Sequence, residues 1–384
     1  MKGFYTRQRT LSGAVLGPMA GFTDAPFRKL CREQGAVWGV TEMVSSLGVV
    51  HSVNRRGRPP TAAELEEMNS YGHCRSEGDR AAGSELGAGG SEGVAENLGR
   101  SLMIGRPYPG EPDLVIQLFG SDPGAMAEAG EIVVEAFDPV ALDINMGCPV
   151  RKVVKTGAGS ALIALPADAA RVAGALVRAV EVDVSVKIRT GYEAERITAV
   201  EVARALEDVG VALICVHGRT RPQMYEGRAD WNVIRRVRDA VSIPVQGSGD
   251  VTSAAVARRH LDEGIGVQVA RGALGRPWVF RVLGGGAPPT VREVAGLALR
   301  HARMAAEWYG EAPGIRSFRG ALVQYFKGFR GASGVRAHAT RAATVADVEE
   351  FIRALLAGEL VGDVADLVIG DEVADHPGGA ARAA

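Results

Sequence analysis

The stretch "LPADAARVAGALVRAVEVDVSVKIRTG" (165–191) decides the fold class, because it joins a helical pattern to a buried strand. In residues 165–180 the apolar side chains recur at i, i+3, i+4 and i+7, which gives an amphipathic helix one buried stripe. The run "VSVKIRTG" (184–191) then follows, and it is short and rich in Val and Ile, as strands buried on both faces are. A helix leading into such a strand is typical of a repeating β/α unit.

Eight apolar runs of this kind alternate with segments of helical periodicity. Asp122-Pro123 and Leu165-Pro166 predict helix starts, and Gly210 predicts a helix stop. Eight strands alternating with helices predict an α/β fold, the (β/α)8 TIM barrel. The runs are "AVLGPMAG" (14–21), "VWGVTEM" (37–43), "DLVIQLFG" (113–120), "VALDINMG" (140–147), "VSVKIRTG" (184–191), "ALICVHGR" (212–219), "IPVQGSGD" (243–250) and "GVQVARGA" (266–273).

The rest of the chain of 384 residues adds segments to this barrel, which we predict to span 1–284. Residues 48–112 contain a Gly-, Ser- and Glu-rich stretch with few large apolar residues, which indicates a flexible acidic insertion. Residues 285–290 resemble a linker. Residues 291–358 show helical periodicity without strand runs and predict a C-terminal all-helical domain, and 359–384 predict an acidic disordered tail.

Composition excludes several classes of protein. No run of 18 or more apolar residues predicts a membrane span, and the N-terminus lacks the apolar segment of a signal peptide, so we expect a cytoplasmic protein. The four cysteines show no CxxC spacing and no nearby His cluster, so we expect no metal site. The net charge of −1 conceals an uneven distribution, since residues 314–341 carry no acid and six bases. A local basic segment of this kind can bind an anionic partner.

Polar residues recur where the predicted strands end, and in a TIM barrel these ends and the loops after them form the active site. The last two ends, "QGSGD" and "ARGALGRPW", favour a phosphate site over simple tight turns, with Arg271 adding charge. The strand-end residues are Pro18, Met19, Ala20, Glu42, Met43, Gln117, Asn145, Cys148, Lys187, Arg189, His217, Arg219, residues 247–250 and residues 270–272.

Three of these side chains allow more than one interpretation. Lys187, at a buried strand end, needs a partner: a flavin ring that becomes anionic on reduction, or a salt bridge to Asp143 or Glu42. His217 fits a site residue and a buried core histidine equally well. Cys148 has a thiol that is mostly protonated at neutral pH, which suits a general acid, whereas a nucleophile needs an adjacent base or strong positive potential. The other two cysteines in strand or helix patterns, Cys31 and Cys215, are typical of core positions.

The motifs of the chain resemble those of the bacterial tRNA-dihydrouridine synthases. They are "PMAGFTDAPFRKLC", "TEMVSS", "QLFGSDP", "DINMGCPVRKVVKTGAGSALI", "KIRTGY", "VHGRTRPQMYEG" and "GRPWVF", in one order between Gly17 and Phe280, apart from the insertion. The resemblance implies a flavoprotein oxidoreductase of tRNA processing. Such an enzyme uses FMN, with NADPH as electron donor, to reduce uridine in tRNA to 5,6-dihydrouridine.

The resemblance also implies roles for the flavin site. Pro18, Met19 and Ala20 would form one wall, Gln117 would hydrogen-bond the ring edge, and Lys187 would stabilise negative charge on the reduced ring. His217 would lie near flavin and substrate. The phosphate would be held by two segments, which contribute Ser248, Gly249, Asp250, Ala270 and Arg271.

For the substrate, the resemblance implies Cys148 as the general acid that protonates one carbon of the uracil, with Asn145 and Arg189 holding the base. A base inside folded RNA must be extruded to reach such a barrel. The basic loop "PVRKVVKTGAG" and the helical region would then contact tRNA phosphates. The basic residues assigned to tRNA binding are Arg151, Lys152, Lys155, Arg316 and Arg319.

The chain departs from the family pattern in three places. Ser248 stands where the family usually has Asn, and Ala270 where it usually has Gly, so the phosphate site is altered. In the helical region a basic Arg-Lys-His run is replaced by Arg319-Gly320-Ala321. These departures keep two alternatives open: a flavin barrel oxidoreductase acting on a free pyrimidine or small enone, and a catalytically impaired RNA-binding derivative. We expect a monomer in each case.

Overall fold

A computed structural model describes residues 2–56, 101–327 and 339–359, with only the backbone at 55–56. Eight parallel strands pair in sequence order and close into a barrel, which confirms the predicted barrel. Seven of the strands are shorter than their apolar runs, because those runs continue into the loop that follows, whereas β2 ends two residues after its run. The strands are β1 Ala14–Leu16, β2 Gly39–Ser45, β3 Leu114–Phe119, β4 Ala141–Met146, β5 Asp183–Arg189, β6 Leu213–His217, β7 Val245–Ser248 and β8 Gly266–Val269.

Helices follow the strands, and their ends carry the predicted signals. Asp122 caps a helix through its carboxylate, which accepts a hydrogen bond from Ala125 N at 2.7 Å, and Pro123 is the first helical residue. Gly210 has a φ of +90° just after a helix end. The helices are α1 Arg7–Thr10, α2 Ala25–Glu33, α3 Ser46–Arg56, α4 Pro123–Phe137, α5 Arg151–Val154, α6 Pro166–Ala179, α7 Ala199–Asp208, α8 Trp231–Ala240, α9 Ala254–Asp262, α10 Val279–Leu283, α11 Val291–Tyr309, α12 Glu311–Tyr325 and α13 Val345–Leu356.

The interior of the barrel is apolar at one end and polar toward the other. At the N-terminal ends of the strands it is filled by an apolar cluster that includes Tyr5, Trp38, Val115 and Leu213. Asp183 fastens the N-terminal segment there, since its carboxylate accepts a hydrogen bond from Tyr5 N at 3.0 Å. This plug closes one end, so a ligand can enter only from the other.

Strand register places the interior polar residues in three rows toward the C-terminal mouth. Neighbouring strands align these residues directly, and every second residue of a strand faces the interior. The lowest row is Gln117, Asp143 and Ser185, which aligns with Leu213 of the apolar cluster; the middle row is Asn145, Lys187, Cys215 and Gln246; the top row is Arg189, His217, Ser248 and Gln268.

The structure narrows the predicted insertion at 48–112. Helix α3 extends to Arg56, and residues 101–105 are also helical. Both ends are anchored, because Val49, Val50 and Leu102 are buried in the core between barrel and helices. The amphipathic part of "SLGVVHSVNRR" therefore belongs to the barrel, and the Gly/Ser/Glu-rich stretch lies outside the described residues.

Beyond β8 the described residues contain helices and no strand. Helices α11, α12 and α13 share a hydrophobic cluster of their own, which includes Phe318, Tyr325 and Phe351. Capping boxes at Thr290 and Thr344 begin α11 and α13. Helix α11 packs on α2, where the rings of His301 and Phe27 stack with centroids 5.5 Å apart. No helix in the described ranges is long and apolar enough to cross a membrane. The predicted tail lies outside them.

Candidate active site

The thiol of Cys148 lies in the turn after β4, and Asn145 holds this turn in place. The Asn145 side-chain oxygen accepts hydrogen bonds from the backbone N–H groups of Gly147 at 3.2 Å and Cys148 at 2.9 Å. Burial raises the pKa of the half-buried Cys148 thiol above its ordinary value, and the nearby Arg189 charge offsets only part of that rise. Cys148 is therefore a protonated thiol at neutral pH.

Arg189, at the end of β5, ties this turn to the loop after β6. Its guanidinium donates to the carbonyl of Gly147 at 2.8 Å and to the carbonyls of Thr220 at 2.9 Å and Met224 at 2.8 Å. Burial lowers the pKa of Arg189 to about 10, so the side chain stays charged at neutral pH. Three of its five N–H donors are thus used inside the protein, and the cation lies beside Cys148.

Lys187 forms neither of the two salt bridges considered from the sequence. Among the residues the structure describes, its ammonium donates to one acceptor, the Cys215 sulfur, at 3.7 Å. The Glu42 carboxylate accepts instead from Gly21 N at 2.6 Å, and Asp143 interacts with the lysine through its charge alone. Lys187 is half-buried with little hydrogen bonding, which is the environment of a cation that binds a ligand.

Gln117 and Asn145 form one buried hydrogen-bonded chain with Asp143. The Gln117 amide nitrogen donates to Asp143 at 2.5 Å, and its oxygen accepts from Asn145 Nδ2 at 2.9 Å. Burial raises the pKa of Asp143, while hydrogen bonds from Gln117 and Ser185 lower it in part. Each amide keeps a second N–H for a further acceptor.

His217 lies among cationic side chains at the mouth. Burial, followed by the charges of Arg189, Lys187, Arg219 and Arg271, lowers the pKa of its imidazole well below the ordinary value. The ring is therefore neutral at neutral pH and can offer a hydrogen bond without adding charge. Four cations surround the neutral imidazole, and because the Asp250 carboxylate pairs with only one of them, Arg219, the potential here is positive and favours an anionic ligand.

The two segments predicted to bind phosphate lie side by side, since β7 pairs with β8. Gly249 has a φ of +109°, and a Cβ there would lie 2.8 Å from the Ala229 Cβ, so only glycine fits. The Asp250 carboxylate accepts hydrogen bonds from the Arg219 guanidinium, at 2.6 Å, and from Ala229 N. Its contribution to a ligand would therefore come from the backbone.

The remaining predicted residues of this region also reach the mouth. Pro18, Met19 and Ala20 follow β1, and Met19 N donates to the Thr23 hydroxyl at 3.0 Å. Gly17 N, just before them, donates to the Val269 carbonyl of β8 at 2.8 Å. Ser248 is buried in the top row, and Ala270 precedes the short 3₁₀ turn that contains Arg271.

One candidate that the sequence interpretation missed is Tyr225. The guanidinium carbons of Arg271 and Arg189 lie 4.4 Å and 5.6 Å from the centre of its ring. The His217 ring centre is 6.3 Å away. Tyr225 belongs to the motif "VHGRTRPQMYEG". Its position as an aromatic residue in the loop after a strand end could have marked it as a site residue from the sequence. Its ring offers a stacking surface at the mouth.

The basic residues assigned to RNA separate into two groups. Arg151, Lys152 and Lys155 are exposed on and just after the four-residue helix α5, next to Cys148. On α12, Arg316 is exposed, whereas Arg319 is half-buried and donates to the Ala342 carbonyl at 2.6 Å. Arg319 therefore supports the packing of the C-terminal helices.

Comparison with known proteins identifies the family of the chain. The family model described as "Dihydrouridine synthase (Dus)" matches residues 15–69 and 103–358, and it therefore omits most of the Gly/Ser/Glu-rich stretch. The chain is similar to tRNA-dihydrouridine synthase B of Shewanella oneidensis, with 37% identity over 320 residues, covering 81% of this chain and 85% of that protein. The corresponding protein of Pseudomonas aeruginosa is 35% identical over 338 residues, covering 85% and 87%. That of Xanthomonas campestris is 34% identical over 358 residues, covering 90% and 94%.

The fold and the site define a (β/α)8-barrel enzyme. The chain belongs to the dihydrouridine synthase family, whose members are oxidoreductases that act on tRNA.

Proposed function

We propose that this chain reduces particular uridines of tRNA to 5,6-dihydrouridine, with bound FMN as cofactor and NADPH as electron donor. One observation carries the proposal: a protonated thiol, Cys148, lies at the mouth beside the Arg189 cation. This arrangement suits the delivery of one proton to a carbon of a substrate ring.

The residues present fit a flavin. The Lys187 ammonium, with a sulfur as its acceptor at 3.7 Å, suits a ring edge that gains negative charge. Gln117 would add its second amide N–H to the same ring, and the segment from Pro18 to Ala20 would cover one side. Arg271 and the backbone around Gly249 would hold the phosphate, supported by the cationic surroundings of His217.

The chemistry divides between cofactor and protein. When bound, FMN would supply a hydride to one carbon of the uracil C5=C6 bond, with NADPH as the source of the electrons. Cys148 Sγ gives its proton to the other carbon, and the thiolate then recovers a proton from solvent. Arg189 stabilises that thiolate by its charge, and Asn145 holds the Cys148 backbone and offers an N–H to a uracil carbonyl.

The tRNA would meet the mouth and the C-terminal helices together. Exposed Arg151, Lys152 and Lys155 lie in the loop that carries Cys148, so they suit phosphates beside an extruded uridine. Exposed Arg316 extends the basic surface to α12. We propose that residues 291–358 act as an RNA-binding domain. We further propose that the protein acts as a monomer and works in the cytoplasm on its tRNA substrate.

The proposal is tested by mapping dihydrouridine in tRNA from cells with and without this gene. We expect one or more positions to lose dihydrouridine in the deletion strain and to regain it with the wild-type gene. The purified protein should bind FMN and reduce tRNA with NADPH faster than it reduces free uridine. An unchanged modification map, or equal activity on free uridine, would contradict a tRNA-directed function.

A further inference from the structure

Asp143 is the buried end of a hydrogen-bonded chain that leads to Cys148. We call this the amide chain: Asp143, Gln117, Asn145 and the backbone N–H groups of Gly147 and Cys148. The links measure 2.5 Å from Gln117 Nε2 to Asp143 Oδ2 and 2.9 Å from Asn145 Nδ2 to Gln117 Oε1. The last link, from Cys148 N to Asn145 Oδ1, measures 2.9 Å. Asp143 and Gln117 are buried at 4% and 0% exposure, so water cannot replace a lost partner freely.

The direction of every bond in the amide chain follows from its upper end. A backbone N–H can only donate, so the Asn145 atom that faces Gly147 and Cys148 must be the oxygen. The Asn145 nitrogen then faces Gln117, whose facing atom must accept. The Gln117 nitrogen consequently faces residue 143. The amide chain therefore requires a hydrogen-bond acceptor at position 143. Without one, the Gln117 amide can turn away from Asn145, and the Asn145 amide is then held only by the two backbone N–H groups.

The second oxygen of Asp143 is bound on the side away from the amide chain. Oδ1 accepts from the Ser185 hydroxyl at 2.6 Å, and that hydroxyl lies 3.1 Å from the Tyr5 hydroxyl at the plug. The Lys187 charge also stabilises the Asp143 carboxylate. Asp143 thus has one oxygen for Gln117 and one for Ser185, which makes the two contacts separable by mutation.

We infer that Asp143 is a positioning residue: it fixes the orientation of the Gln117 amide, which in turn restrains the Asn145 amide and the backbone of Cys148 that Asn145 holds. It acts through these groups and does not itself contact the substrate. The inference rests on the proposed function, in which Asn145 offers an N–H to a carbonyl of the base. An Asn145 amide without its Gln117 acceptor would hold that N–H, and the turn that carries Cys148, less firmly in place.

The test compares variants that keep or remove the acceptor. Asp143→Asn keeps a carbonyl for Gln117, while its amide nitrogen can donate to the Ser185 oxygen. Asp143→Leu has a similar shape but no acceptor, and Asp143→Ala removes the group altogether. The matched control is Ser185→Ala, which removes the other partner of Asp143 and leaves the amide chain intact.

For tRNA reduction we expect kcat within about fivefold of wild type in Asp143→Asn and Ser185→Ala. In Asp143→Leu and Asp143→Ala it should fall on the order of 10²-fold, the cost of a misplaced reacting group. KM for tRNA should stay near the wild-type value, because the basic loop is untouched. Equal losses in the Asn and Leu variants would overturn the inference, since charge rather than hydrogen-bond acceptance would then matter.

A second measurement does not depend on activity. In ¹⁵N-labelled protein, the side-chain amide resonances of Gln117 and Asn145 should remain in Asp143→Asn and shift toward unbonded values in Asp143→Leu. Unchanged resonances in the Leu variant would overturn the inference. If Asp143→Ala fails to fold, the isosteric Leu variant still decides the result. If wild-type protein forms no dihydrouridine, the proposed function fails, while the resonances still test what Asp143 holds in place.

Discussion

The mouth of the barrel and the junction between the barrel and the C-terminal helices both bury charged groups, but they bury them differently. At the junction, Arg28 on α2 forms a bidentate pair with Glu111 and also donates to the carbonyls of Thr23 and Arg106. Both charged side chains of that pair are almost completely buried, at 0% and 2% exposure. At the mouth, Lys187 has a sulfur contact at 3.7 Å.

This difference separates structural from functional use of buried charge. The junction satisfies Arg28 and Glu111 within the protein, so they contribute to stability and offer nothing to a ligand. The mouth leaves donors on Lys187, Gln117 and Asn145, which costs stability until a ligand supplies acceptors. Variants at the mouth should therefore change the reaction with little effect on folding, and variants at the junction should do the opposite.

The largest effect is expected for Cys148→Ala. Removal of the general acid should lower the rate of dihydrouridine formation by roughly 10²- to 10⁴-fold, while the protein still binds FMN and unfolds at a similar temperature. Single-turnover reduction of tRNA, FMN titration and thermal unfolding measure the three properties.

The pH dependence of wild-type protein provides the control for this result. The proton donor is the thiol form, so the rate should stay level through neutral pH and fall only above the ordinary thiol pKa of 9.0, because burial raises the pKa of Cys148. Wild-type turnover in the alanine variant would remove Cys148 as the acid.

Arg28→Met tests the junction with the next largest effect. It leaves the Glu111 carboxylate buried without its cation, which should destabilise the protein by about 3–5 kcal/mol. Urea unfolding measures this loss, and the folded fraction should keep its rate on tRNA. The double variant Arg28→Met/Glu111→Gln removes the unpaired charge and should regain part of the stability. A junction variant that folds normally but loses activity would contradict the comparison.

Much of the fold was accessible from the sequence because buried parallel strands leave short apolar runs. All eight runs became strands, and Asp122, Pro166 and Gly210 marked helix ends as predicted. The ends of the insertion could not be located from the sequence. Residues 48–56 contain only a few apolar side chains, and the structure shows that these side chains pack into the core.

The site was accessible only as a set of strand-end residues. The hydrogen bond from Gln117 to Asp143 depends on the register of β3 with β4. Spacing along the chain does not reveal this register. The place of Tyr225 between two guanidinium groups depends on the path of the loop after β6. Residue types indicated the chemistry, and the contacts between them required coordinates.

A smaller effect at the junction concerns Asp24, which caps α2 and is hydrogen-bonded to Tyr309 of α11. Burial, followed by the Glu42 charge, raises the pKa of Asp24 to about 7. Folded protein thus holds a proton there that unfolded protein releases, so stability should fall as pH rises from about 4 to about 7. Asp24→Asn keeps the cap and should stabilise the protein at pH 8 by on the order of 1–3 kcal/mol, with a smaller gain at pH 5. Urea unfolding at the two pH values measures the difference in the free energy of unfolding between the variant and wild type. An equal stabilisation at both pH values would contradict this explanation.

The smallest effect asks whether the C-terminal helices do more than pack against the barrel. Gly320 on α12 is exposed, a Cβ added there meets nothing within 4 Å, and the position lies one turn from exposed Arg316. Gly320→Ala and Gly320→Lys should both stabilise the helix by about 0.5–1 kcal/mol, slightly less for Lys beside another cation.

Only Gly320→Lys should also bind tRNA a few-fold more tightly, and the slope of log K against log salt should steepen by about 0.7–0.9 for one added phosphate contact. Filter binding over a salt series, with the Ala variant as the matched control, separates helix stability from charge. Equal tRNA affinity in the two variants would mean that this face of α12 does not contact RNA. In that case, charged side chains that bind a ligand would be found at the barrel mouth and not on this face of α12.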